Sequence, residues 1–211
     1  MYKLFNVCLT IGLFCVLSAC GKEDVTKQIN NHLESTVEIE KEFEETQEKI
    51  YELEKNDEEL YKKIIELGSD EFEQVQSLTT EAIDLLDERY EYVKEEKKSI
   101  DHSKEEFEKI KPLIEDISDE NQKKQTEKMF KTMMERYKAY EDVYYNYSDS
   151  IQLTKQLYEL LQEEKLNEEI YSLIENVNES YDSVLKANES FNKHTLLYNN
   201  LKNEYYDMYQ Q

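Results

Sequence analysis

The sequence predicts an all-α protein, an elongated up-and-down antiparallel four-helix bundle with coiled-coil-like packing. Three observations carry this. The chain has only three glycines and one proline in 211 residues, too few turn formers for many hairpins or βα loops. Its abundance of Glu, Lys, Leu and Gln favours long helices. Apolar residues also recur at seven-residue spacing along nearly its whole length, which keeps a seam on one side of a slightly supercoiled helix. With 36% charged residues and a formal net charge of -23, composition alone would also suit disorder. Periodicity decides for packed helices.

The first ladder is Phe43, Ile50, Asp57 and Ile64, with Thr46, Leu53, Leu60 and Leu67 three residues after each. It predicts a helix over about 24–67, ended by Gly68 as a left-handed cap. The second, 70–116, opens on Asp70 and Glu73 in capping-box spacing and follows Phe72, Thr79, Leu86, Val93, Ile100, Phe107 and Ile114. Pro112 kinks or ends it. The third, 119–164, starts at Asp119 with Gln122 three residues on, and carries Met133, Tyr140, Tyr147, Thr154 and Leu161. The fourth, 167–209, starts at Asn167 and carries Ile170, Val177, Val184, Phe191, Tyr198 and Tyr205. Each would be about 65–70 Å long, and short turns make neighbours antiparallel. The third break lacks glycine, so three long helices are the alternative.

Before Lys22 the only charged side chain is Lys3, and Leu4 to Val16 is mostly apolar. This is the layout of a secretory signal peptide, shorter than the roughly 20 residues that span a bilayer. It ends in Leu17-Ser18-Ala19-Cys20, which resembles the bacterial lipobox. That resemblance implies a diacylglyceryl group on the Cys20 thiol and cleavage between Ala19 and Cys20. The Cys20 amine is then left free or palmitoylated. The expected organisation is a signal peptide over 1–19, a lipidated cysteine and short tether over 20–27, and a single bundle domain over 28–211. The expected location is the outer face of the bacterial cytoplasmic membrane. Cys8 and Cys15 would leave with the signal, so neither a disulfide framework nor a cysteine metal site is expected.

Motifs that carry chemistry are missing. His32, His102 and His194 fall on three different helices and form no spaced ligand pair; His32, on a seam register, reads as a packed core residue. There is no His-Glu-x-x-His, glycine-rich phosphate loop or nucleophile elbow. The acidic run Glu40 to Glu45 reads as a solvated face and lacks the alternating ligands and glycine of a calcium loop. No cofactor, metal or enzymatic activity is expected. The negative field disfavours nucleic acid and anionic envelope polymers alike.

Tyrosine is the unusual residue: twelve of the 17 lie from Tyr137 onward. Tyr137, Tyr140, Tyr144, Tyr147 and Tyr158 follow helical spacing and are expected to fill the bundle's flank. Tyr145 and Tyr206 sit off the seams and are the candidate contact surface for a glycan or protein.

A lipobox followed at once by Gly21-Lys22-Glu23-Asp24 and then by acidic helices resembles the YkyA-like family of low-GC Gram-positive bacteria. Its members are described as cell-wall-binding lipoproteins. The resemblance implies a long-helix bundle tethered outside the cytoplasmic membrane, with no enzymatic activity. The partners it points to are the membrane, through the lipid anchor, and peptidoglycan or an envelope protein. The alternative is a structural spacer or surface antigen without a specific ligand.

Overall fold

A computed structural model describes residues 24–67, 71–163 and 169–209, and every regular element among them is a helix. They are α1 (Val25–Ile39), α2 (Lys41–Glu66), α3 (Phe72–Glu108), α4 (Ile110–Ile114), α5 (Glu120–Leu161) and α6 (Glu169–Tyr209). α1 with α2 makes the first long helix and α3 with α4 the second, so the four-helix plan holds. The residues of the four ladders are buried, or half-buried at Phe43, Leu67, Phe72 and Leu161.

Cross-helix bonds fix the direction of each pair. Between α1–α2 and α3 they run from His32–Glu106 to Asp57–Arg89, one number rising as the other falls. Between α5 and α6 they run from Gln125–Glu204 through Arg136–Thr195 to Thr154–Tyr181, again antiparallel. The chain therefore reverses between α5 and α6, which excludes the three-helix alternative at that break.

Local chemistry explains most of the ends. Asp119 Oδ1 accepts from the Asn121 and Gln122 amides at 2.9 Å, capping α5 as its spacing foretold. Pro112 has no N–H to give the Glu108 carbonyl and its ring crowds that oxygen, so α3 stops at Glu108 and α4 resumes after one residue. The expected start at Asp70 moves: Glu71 takes the cap position of α3. The first helix begins at Val25, with Asp24 Oδ1 accepting from the Thr26 amide, so part of the expected tether is helical. Gly68, Asp70 and Asn167 lie outside the described residues.

One break was not expected. The first long helix is interrupted at Glu40. Ser99 Oγ on α3 donates to the Ile39 carbonyl at 2.9 Å, the acceptor an unbroken helix would offer to Phe43. A side chain entering the i→i−4 ladder is a recognised cause of a kink.

Backbones approach closely between α5 and α6, α2 and α3, and α3 and α5. Across the remaining seam, α6 meets α1 and α2 through large side chains. Phe43, Tyr140 and Phe191 pack ring to ring at 5.6–6.2 Å, and through the core Phe107 of α3 meets Tyr198 of α6 at 5.9 Å. Each such aromatic contributes about 1.5–3 kcal/mol by burial. Toward the α2–α3 turn the aromatic filling gives way to Leu157, Ile170 and Val177, and the seam opens.

Candidate functional site

Charged and polar residues occupy core positions of the bundle in three successive layers. Arg89 and Glu96 sit three residues after Leu86 and Val93, and Arg136 three after Met133, so each takes the second apolar position of its heptad. Asp57 stands on the first ladder itself. Each layer lies beneath a cavity; those of the first and third layers fall along the seam between the first and fourth helices, while that of the second is lined mainly by α2, α3 and α5 and meets the fourth helix at Asn188.

The first layer is built on the break. The kink turns the Glu40 carboxylate inward, where it accepts from Ser103 Oγ at 2.6 Å and from Arg136 Nη1 at 2.8 Å. Ser103 Oγ also shares a 2.7 Å bond with the Tyr137 hydroxyl. Arg136 donates from Nε to Thr195 at 3.0 Å and lies over the Phe191 ring at 4.9 Å. One ion pair thus ties all four long helices together. The cavity above it, about 190 Å³, includes Lys202, whose ammonium pKa burial pushes down. Glu40, read from sequence as part of a solvated acidic face, is a structural residue.

In the second layer Gln47 Nε2 donates to the Glu96 carboxylate, which also bonds the Tyr140 hydroxyl. Burial pushes the Glu96 carboxyl up to about 7, against the pull of these two donors and with the help of nearby Glu54. A cavity of about 170 Å³ lies above it, bordered by Tyr51, Tyr144 and Asn188.

The sign of the Glu96 effect is definite. A carboxyl whose folded pKa is raised stabilises the fold fully below its unfolded value, near 4.5, and loses that contribution as pH rises through about 7. The loss is roughly 3 kcal/mol by pH 8 at 1.36 kcal/mol per pH unit. Glu96→Gln is therefore expected to melt several degrees above the parent at pH 8 and close to it at pH 5. Melting curves at both pH values check this; an equal offset at the two would contradict it.

The third layer has a buried pair at its centre. Arg89 Nη1 lies 3.4 Å from Asp57 Oδ2, and the Tyr158 hydroxyl donates to Asp57 Oδ1 at 2.8 Å. Burial raises the Asp57 carboxyl despite the attraction of Arg89 and the bond from Tyr158. Next to the pair, Tyr147 donates to Glu54. The cavity here is the largest of the three layers, about 310 Å³, open to solvent between α2 and α6.

The residues singled out from sequence lie elsewhere. Tyr145 is 61% exposed, its ring edge-on to Tyr144 at 5.4 Å. Tyr206 is half-buried against Tyr205, and burial pushes its hydroxyl pKa up. The antiparallel register puts the two about 27 Å apart along the bundle, so the structure does not bring them together. Ala19 and Cys20 lie outside the described residues. Tyr137, Tyr140, Tyr147 and Tyr158 are core residues, while Tyr144 is half-buried. His32 is not in the core: it stays partly exposed, its Nδ1 2.7 Å from Glu106 Oε1, because α1 has only α3 and solvent on that side. Among the described residues no helix is long and apolar enough to cross a membrane.

Known proteins agree with this architecture. The chain is 31% identical over 204 residues to "Uncharacterized lipoprotein YkyA" of Bacillus subtilis strain 168, covering 94% of this chain and 92% of that one. A crystal structure of a conserved protein of unknown function from Staphylococcus aureus superposes with a TM-score of 0.71 at 15% identity. That match covers 86% of this chain and 93% of the other, and it shows a shared fold. The model of the YkyA family, described as "Putative cell-wall binding lipoprotein", matches residues 24–208. On that match and that identity, this chain belongs to the YkyA family.

Proposed function

We propose that this protein is a lipid-anchored envelope protein that binds the cell wall through the groove between its first and fourth helices and catalyses no reaction. The observation that carries the reading is the groove itself. In this narrow bundle, the seam between the first and fourth helices is held by side chains and opens over buried polar groups. A bundle serving only as a spacer does not need arginine and carboxylates beneath an open seam, since apolar residues there are often as stable or more so. The family's description points the same way.

Tethering rests on Cys20 and the Leu17 to Ala19 box that precedes it. Gly21 to Asp24 lie between Cys20 and the first described helix, a reach of at most about 18 Å. The bundle accordingly stands close to the outer leaflet, with its long axis free to reach toward the wall. Its net negative charge would be repelled by anionic wall polymers, which leaves the uncharged glycan of peptidoglycan as the better-matched surface. Glu96, although its pKa is tuned toward neutrality, is held by Gln47 and Tyr140 and faces no nucleophile, so it reads as structural.

Sedimentation with purified sacculi stripped of anionic polymers tests this. Residues 20–211 carrying Cys20→Ser are expected to pellet with sacculi in a saturable manner; full recovery in the supernatant would contradict the reading.

A further inference from the structure

Arg89 is 2% exposed, and its Nε and Nη2 have no hydrogen-bond acceptor among the described residues. Leaving such a group unsatisfied is costly, and this one lines the 310 Å³ cavity of the third layer. A guanidinium offers donors in a planar fork, and an acceptor oxygen reaching it from the cavity would complete it.

The surroundings select the kind of acceptor. Glu54, Asp57 and Glu58 border the same cavity, Asp57 paired with Arg89 and Glu58 with Lys62, so carboxylates outnumber the cations beside them. Their field opposes a carboxylate or phosphate ligand and favours a neutral carbonyl. The same carboxylates accept from hydroxyl donors, and several such donors on one small ring is the chemistry of a sugar. The Tyr61 ring, 43% exposed, stands at the mouth with Ile174, and Tyr181 lines the wall. Apolar and aromatic faces of this kind pack against the C–H face of a pyranose while polar groups meet its edge. At about 310 Å³ the space is at the lower end for small-molecule sites, suited to one substituted sugar ring. The groove runs on past Glu54, which borders both this cavity and the next, so neighbouring rings of a polymer can follow the seam.

We propose that this cavity is a subsite for a neutral N-acetylated sugar residue of a glycan. Its acetamido oxygen accepts from Arg89, its hydroxyls donate to the rim carboxylates, and its ring stacks on Tyr61. This rests on the wall-binding reading and names the part of the wall that is held.

The test is titration of residues 20–211 carrying Cys20→Ser with N,N′,N″-triacetylchitotriose, read by calorimetry, with cellotriose as the analogue lacking the acetamido group. Chitotriose is expected to bind at least tenfold more tightly than cellotriose. Tyr61→Ala is expected to weaken binding about tenfold with an unchanged melt, and Arg89→Gln to abolish the preference for the acetamido sugar. Because Arg89→Gln also unpairs Asp57, its melt is recorded, and Tyr61→Ala carries the decision if that variant is unfolded. No binding of chitotriose, equal binding of the two sugars, or an unaffected Tyr61→Ala would overturn the proposal. Retention on sacculi separates the two readings: if Tyr61→Ala and Arg89→Gln still pellet, wall binding stands and this subsite falls. If the parent does not pellet, both fall.

Discussion

Arg136→Ala is expected to lower the stability of the bundle by about 3–5 kcal/mol, the range for removing one partner of a buried ion pair. The parent arginine neutralises Glu40 at 2.8 Å, bonds Thr195 at 3.0 Å and covers the face of Phe191. Without it the Glu40 carboxylate remains turned inward by the helix break, next to Ser103, with only the more distant Lys202 as a cation. The penalty is thus an uncompensated charge plus a cavity where the guanidinium packed. Removing both charges behaves differently. Glu40→Gln with Arg136→Met keeps similar volume and leaves no buried ion, so most of the loss is expected to return. Urea unfolding of the parent and the two variants checks this. A single substitution that loses less than about 1 kcal/mol, or a double variant no better than the single, would mean that this layer does not hold the helices together.

Cys20→Ser is expected to change where the protein is found without changing how it folds. Two acyl chains give stable anchoring at about 0.8 kcal/mol per buried methylene, and a strongly acidic chain has no basic patch to replace them. Lipid labelling should disappear, and the protein should move from the membrane fraction to the medium or accumulate as an uncleaved precursor. Its melt should match that of the parent, since no described helix includes Cys20. A cleaved, unlipidated variant that stayed on washed membranes would show that another contact holds it there.

The fold was legible because each ladder is long and its period strict. Ile50, Leu86, Val93, Ile100 and Val184 each occupy the buried position that the seven-residue spacing assigned. Pro112 and Asp119 marked real ends because each acts through its own backbone or side chain. The break at Glu40 was hidden for the opposite reason. Nothing local marks it: Glu40 is an acid in a run of acids, and its causes, Ser99, Ser103 and Arg136, arrive from other helices.

The candidate site was half visible. Arg89, Glu96 and Arg136 stand three residues beyond ladder positions, so register alone places them inside. Residue type argued otherwise, since charged side chains are almost never fully buried unless paired, and pairing is a tertiary fact. The groove itself depends on how far α6 stands from α2, which Phe43, Tyr140 and Phe191 set at one end and smaller residues at the other. Tyrosine abundance drew attention to α5, where most of the rings are core. The exposed ring at the cavity, Tyr61, lies on α2 and carried no sequence signal.

The groove can be blocked without disturbing the core, because residues 21–211 contain no cysteine. In the Cys20→Ser protein, a single cysteine introduced by Asn178→Cys, at an exposed position of α6 that lines the cavity, can carry a bulky maleimide at its mouth. Lys131→Cys, at an 80% exposed side chain on α5, serves as the control. Sedimentation with sacculi before and after labelling is the most direct measurement of where the wall is held. Labelling at position 178 should release the protein into the supernatant while labelling at position 131 leaves it in the pellet. Equal retention after both labels would contradict the groove as the binding surface.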